Sequence, residues 1–172
     1  PKSHTAFQWF GQLPVEEIQR KQAYLKSLIR DKHISYHYHD AKTGYLEATF
    51  ARGDRRMGQV LYEAWKLGCK FDGWTELFDY DKWMEAFAKA GVDPDYFAAR
   101  QRDVNEPLPW DHLSNGAPKA FLRREWQKAV GGELTHDCRH LSCTGCGVCP
   151  NLGVEIIDRK EGAGRGKTAF SC

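Results

Sequence analysis

Helix punctuation recurs along this chain at short intervals, and it restricts most of the fold to short helices joined by loops. Pro14 leads into VEEIQRKQAYLKSLIRDK, where Val15, Ile18, Leu25, Leu28 and Ile29 fall on one stripe at helical spacing. Glu16 and Glu17 near its start, and Arg30 and Lys32 near its end, complement the helix dipole. Asp54 is placed to cap a helix over about 55–67, with Met57, Val60, Leu61, Ala64 and Trp65 as its buried stripe and Gly68 as its stop. Asp81 precedes KWMEAFAKA, which Gly91 closes, and Asp93-Pro94 opens another helical start. PKAFLRREWQKAV sets Phe121, Leu122, Trp126, Ala129 and Val130 on one side before Gly131 and Gly132. The aromatics Phe71, Trp74, Phe78, Trp83, Phe87, Tyr96 and Phe97 are the expected core of the middle region.

One segment breaks this helical pattern. In HISYHYHDAKTGYLEATFARG the residues Ile34, Tyr36 and Tyr38 alternate, as do Leu46, Ala48 and Phe50, with DAKTG between them. Period two on both sides of a glycine-bearing turn predicts a β-hairpin. The fold class expected is therefore α+β, mainly helical with one hairpin.

A chain of 172 residues, 41% hydrophobic, can bury one modest core, which predicts one main domain with appendages. The net charge of +2, from 25 basic and 23 acidic residues, gives little overall attraction to nucleic acid or an anionic membrane, so any basic site must be local. No apolar run reaches spanning length and no signal-peptide pattern opens the chain, so a soluble cytoplasmic protein is expected. The sequence starts at Pro1 inside an apparently structured phrase, PKSHTAFQWFGQLP, which suggests a fragment of a longer protein.

The cysteines carry the strongest chemical signal. Cys138, Cys143, Cys146 and Cys149 stand in CRHLSCTGCGVCP. Thiolates are soft ligands, and in a cytoplasmic chain such spacing points to metal rather than to disulfides. Two separate Cys-x-x-Cys knuckles would suggest a zinc ribbon, but here the pairs share Cys146. One contiguous Cys-x-x-Cys-x-x-Cys loop followed by proline favours a four-iron iron–sulfur cluster (4Fe-4S), with zinc as the alternative. Gly145 and Gly147 let the loop aim backbone amides at sulfur, and Arg139 and His140 can offset thiolate charge.

Other candidates are weaker. In ARGDRRMG, Arg52, Asp54, Arg55 and Arg56 surround a helix start and are candidate substrate or cofactor contacts, against the simpler reading of a capped helix with a solvated basic edge. The run GAGRGKT lacks the first glycine of a phosphate-binding loop and a helix to follow it, so nucleotide binding there is rejected. His33, His37 and His39 read as a solvated polar face, Cys69 as a small buried thiol, and Asp111-His112 as a turn cap.

The phrases PKSHTAFQW, LEATFARGDRRMGQVLYEAWKLGCKFDGWTELF, LPWDHLSNGAPKAFLRREW and CRHLSCTGCGVCP together resemble the C-terminal portion of radical S-adenosylmethionine (radical SAM) proteins. The group meant carries a cobalamin-binding-like domain ahead of the radical core, and the resemblance covers about residues 1–154. It implies that 1–14 close a partial (β/α) barrel and that 15–132 form a C-terminal extension. Residues 133–154 would then be a cysteine-rich metal loop, and the glycine and charge content of 155–172 predicts a flexible tail after it. It also implies an iron–sulfur enzyme that produces a 5′-deoxyadenosyl radical from S-adenosylmethionine to modify an unknown substrate, with cobalamin dependence left open. The family's Cys-x-x-x-Cys-x-x-Cys motif does not occur here, because four residues separate Cys138 from Cys143. The catalytic cluster would lie in an upstream radical SAM core, and the cysteine loop would be an auxiliary site. The alternative is a noncatalytic zinc adaptor that docks a protein or RNA partner through that loop.

Overall fold

The computed structural model describes residues 1–155, and the proposed tail, the possible strand VEIID beyond Glu155 and GAGRGKT lie outside the described residues. The helices are α1 (Val15–Leu28), α2 (Ala41–Ala51), α3 (Met57–Lys66), α4 (Tyr80–Ala90), α5 (Pro94–Ala98), α6 (Lys119–Gly131) and α7 (Val148–Leu152). No strand occurs among the described residues. The helical expectations at α1, α3, α4, α5 and α6 therefore stand. The hairpin and the barrel segment over 1–14 do not, and α+β gives way to an all-helical fold among those residues.

The failure of the hairpin has a local cause. Asp40 caps α2 by accepting a hydrogen bond from Thr43 N at 2.9 Å, so the supposed turn DAKTG is a helix start. Ala41, Tyr45, Leu46, Ala48 and Thr49 are buried along α2. Their spacing is helical and takes in Leu46 and Ala48 of the supposed strand, while Phe50 is half-buried against the first apolar cluster. Residues 34–39 are then left without a partner strand and remain outside any helix.

The chain divides into two compact units, one of Pro1–Lys2 with Trp9–Asp103, the other of Ser3–Gln8 with the chain from Val104 onward. In the first unit α3 packs on α4, and α2 packs against α1 and α5. One apolar cluster gathers Leu46, Met57, Val60, Ala64, Trp83, Ala86, Phe87 and Phe97, and a second gathers Val15, Ala41, Tyr45, Ala48 and Ala98. Complete burial of Phe87 and Phe97 contributes about 2–3 kcal/mol each. Their half of the predicted aromatic core holds. Phe71, Trp74 and Tyr96 are exposed instead, as are Leu61 and Trp65 of the α3 stripe. The α4 cap is Asp79, which accepts from Lys82 N, rather than Asp81, and Gly91 ends α4 in the left-handed region.

The second unit is built around α6. Leu108, Trp110 and Leu122 are buried, and Trp110 Nε1 donates to Gln8 Oε1 at 2.7 Å. That same Gln8 oxygen accepts from His4 N at 3.1 Å, so a buried amide is satisfied across the unit. Lys119 at the start of α6 donates to Glu106 O and to Asp111 Oδ2, and Arg123 donates to Val104 O at 2.9 Å. Asp111 also accepts from Leu108 N at 2.8 Å, which makes it the turn cap expected rather than half of an acid–base pair.

Candidate metal centre

Cys138, Cys143 and Cys146 lie between the end of α6 and α7, Cys149 lies in the first turn of α7, and all four are free; Cys143 is exposed while the others are partly buried. Each end of the loop has a structural reason. Gly132 terminates α6 with φ 73°, turning the chain out of the helix. At the far end Asn151 Nδ2 donates to Gly116 O at 2.7 Å, and Leu152 packs so closely on Gly116 that a Cβ there would lie 2.9 Å from it. Gly147 has φ 79° and sits against Pro118, which a Cβ would approach to 2.9 Å. Both the backbone conformation and the space therefore demand glycine at Gly147.

Between these anchors the loop is held by polar contacts. Asp137 accepts from Arg139 N at 2.9 Å and pairs with the Arg139 guanidinium, while His140 N and Leu141 N donate to Asp137 O. The Arg139 hydrogen bonds pull the Asp137 carboxyl down to about 2. Arg139 is thus engaged by Asp137, whereas the sequence suggested it as an offset to thiolate charge. His136 Nε2 lies 2.8 Å from Ser142 O. Arg124, reaching from α6, donates to Thr144 O at 2.7 Å, inside the turn that separates Cys143 from Cys146.

That turn has a shape suited to holding a ligated sulfur. Gly145, with φ 68°, directs its N–H at Cys143 Sγ at 3.3 Å. An amide aimed at sulfur stabilises thiolate character and is a common outer contact of thiolate-bound metals. The donor chemistry fits soft-metal binding, either an iron–sulfur cluster or zinc. The sulfurs are not gathered into a shell, however, since no group of three or more His, Cys, Asp or Glu side chains among the described residues is arranged to hold a metal ion. Cys138, Cys143, Cys146 and Cys149 are brought into one loop but not onto one point. Binding would have to close the loop, as ligand sites of small metal-binding segments commonly do.

No family model matches the chain, and neither a curated protein nor a solved structure matches it.

The structure separates the arginine cluster that the sequence grouped. Arg52 is fully buried, and its guanidinium donates to Phe97 O at 2.8 Å, to Arg100 O at 3.0 Å and to Phe10 O. Its own carbonyl accepts from Arg102 Nη2 at 2.8 Å. This is a buried knot that ties distant backbone together, with no surface of Arg52 left for a ligand. Asp54 turns to Arg56, accepting from its backbone N at 2.9 Å and its guanidinium at 2.7 Å, and the Arg56 side chain holds the Asp54 carboxyl below its ordinary range. Arg56 also lies 4.8 Å over the Phe97 ring. Arg55 is exposed. The four residues do not converge on a common site.

The remaining histidines are dispersed. His33 Nδ1 sits 3.0 Å from Asp31 and His39 Nε2 sits 3.6 Å from Glu47, both on the surface. Burial pushes the Cys69 thiol up, in keeping with a packed rather than a reactive cysteine. The contributions of Arg124, Asn151 and Gly116 to the cysteine loop were not recognised in the sequence. Each acts from outside the cysteine motif, and nothing in their own neighbourhoods marks them.

Proposed function

We propose that this chain is the C-terminal part of a radical SAM enzyme and that Cys138, Cys143, Cys146 and Cys149 hold an auxiliary iron–sulfur cluster in it. The observation that carries the metal assignment is the Cys143–Cys146 turn, where the left-handed Gly145 offers its N–H to the Cys143 sulfur. The overlapping cysteine spacing favours a cluster over zinc, and the enzyme class rests on the resemblance of residues 1–154. Four cysteine ligands leave a structural or electron-transferring role for the cluster, while an upstream core would bind S-adenosylmethionine and act on a substrate of unidentified class. No helix among the described residues is long and apolar enough to cross a membrane, and a cytoplasmic setting would keep the thiols reduced.

Anaerobic reconstitution with iron and sulfide tests the metal site. A brown protein with absorbance near the charge-transfer region of iron–thiolate centres is expected, and Cys143→Ser, Cys146→Ser and Cys149→Ser should each lose iron. Arg124→Gln should retain the fold yet release metal faster, because the turn loses its contact at Thr144 O. A colourless protein that holds one zinc would overturn the cluster and favour the adaptor reading. The enzyme class itself is tested separately by joining this chain to its proposed core and looking for cleavage of S-adenosylmethionine.

A further inference from the structure

The first unit carries an open cavity of about 660 Å³ that neither the cysteine loop nor the arginine cluster uses. Three pieces of chain enclose it: the first turn of α2 at Lys42 and Thr43, the segment from Gly68 to Phe78, and the first turn of α4. Its size lies within the usual range of small-molecule sites, about 300–1,000 Å³. Its apolar wall is Phe71, Leu77, Phe78 and Tyr80, with the Phe78 and Tyr80 rings 6.5 Å apart.

Phe71 is the least expected member of that wall. Its φ is 58°, in the left-handed region that a bulky side chain seldom adopts, yet its ring remains 71% exposed and joins neither apolar cluster. The conformation is held by Trp74 N, which donates to Phe71 O at 2.9 Å, and by the buried Trp83, whose Nε1 donates to Asp72 Oδ1 at 3.0 Å. Backbone strain that no burial offsets is the kind that gathers at ligand sites.

The charges of the lining select the ligand. Asp40 caps α2 through Thr43 N, Asp79 caps α4 through Lys82 N, and the Lys82 ammonium pairs with Asp79 at 3.4 Å. Those three groups are engaged within the chain. Of the rest, Lys42 and Lys70 are the cations and Glu76 and Asp81 the anions, and none of the four forms an ion pair with a described residue. Lys42 Nζ instead lies 4.9 Å from the centre of the Tyr80 ring. A purely anionic ligand would face Glu76 and Asp81 as like charges, and a purely cationic one would face Lys42 and Lys70. A molecule with one charge of each sign and an apolar group between them meets no such conflict.

We infer that this cavity binds a zwitterion of the amino-acid class, a free apolar amino acid or a dipeptide, with its carboxylate toward Lys42 and Lys70, its ammonium toward Glu76 and Asp81, and its side chain against Phe71 and Phe78. The inference is independent of the cysteine loop and of the enzyme class.

NMR titration of the full chain with L-phenylalanine and with L-leucyl-L-phenylalanine tests it and separates the two sources. Saturable binding of at least one of them at millimolar concentration is expected. The same molecule with its amine acetylated, or with its carboxylate amidated, should bind roughly tenfold more weakly, as loss of a hydrogen bond to a charged group predicts. Lys70→Met should weaken the zwitterion yet leave the amidated form unaffected, and Glu76→Gln should do the same with respect to the acetylated form. Phe71→Gly removes the ring and relaxes the backbone, so binding should fall while the thermal midpoint does not. Absence of binding by both zwitterions overturns the inference. So do equal affinities for the blocked and unblocked forms, or a Phe71→Gly variant that loses stability together with binding.

Discussion

Arg52 shows how one side chain can be misread when its neighbours in sequence are also charged. Its guanidinium satisfies the carbonyls of Phe10, Phe97 and Arg100, which come from opposite ends of the first unit. Arg52→Leu should leave these buried acceptors unsatisfied and destabilise by about 3 kcal/mol, at roughly 1 kcal/mol for each lost bond. Urea denaturation should register this as a lower midpoint at constant slope. Arg55→Ala, exposed and without such work, should leave the midpoint unchanged. The RGDRR run advertises a cationic helix start, and that much is legible in it. Which of its arginines points inward depends on Phe10, Phe97 and Arg100, and no local rule names residues about forty positions away. Asp137 belongs to the same scale. Its carboxyl is held down to about 2 by Arg139, below the ordinary value of 3.8, so the pair favours the folded turn fully above about pH 4. That contribution is lost as pH falls through the folded value. Carbonyl-carbon NMR titration should find Asp137 titrating near 2, and Arg139→Gln should return it towards 4.

At the level of elements, caps decide more than periodicity does. Leu46, Ala48 and Phe50 satisfy a strand pattern, Ala41, Tyr45, Ala48 and Thr49 a helical one, and Asp40 favours the helix by bonding Thr43 N. Asp40→Ala should cost about 1 kcal/mol and lower the thermal midpoint, the usual loss of a helix cap. The stop at Gly91 and the start at Asp93-Pro94 were readable because glycine and proline carry their conformational preferences with them. The cysteine loop obeys the same rule at Gly147, where left-handed backbone meets Pro118. Gly147→Ala should therefore disrupt the loop although it touches no cysteine. Proteolysis of residues 133–153 should become faster in this variant, and metal uptake should fall, while the helical circular dichroism of the chain changes little.

For the molecule as a whole, two compact units replace the single domain with appendages that length and composition suggested. The division falls after Asp103, within RDVNEPLP, where proline and polar residues already weaken helical continuity. The return of Ser3–Gln8 to the second unit, with Gln8 accepting from Trp110 Nε1, joins residues 102 apart in sequence. If metal closes the cysteine loop, loading should protect the amides of 133–153 from hydrogen exchange and raise the stability of the second unit in proportion to affinity. Exchange in the loop that is indifferent to iron and to zinc would argue that the thiols hold neither. The sequence alone determined where α1, α5 and α6 begin and where α4 and α6 end, because prolines, the Asp93 cap and stop glycines act on their own backbone, whereas the caps read at Asp54 and Asp81 do not hold. It also determined that four soft ligands share one loop. Only tertiary structure decided which apolar stripes are covered, which arginine is buried and which residues brace the cysteines. Those outcomes depend on surfaces brought together from far along the chain, and burial is a property of the pair rather than of either residue.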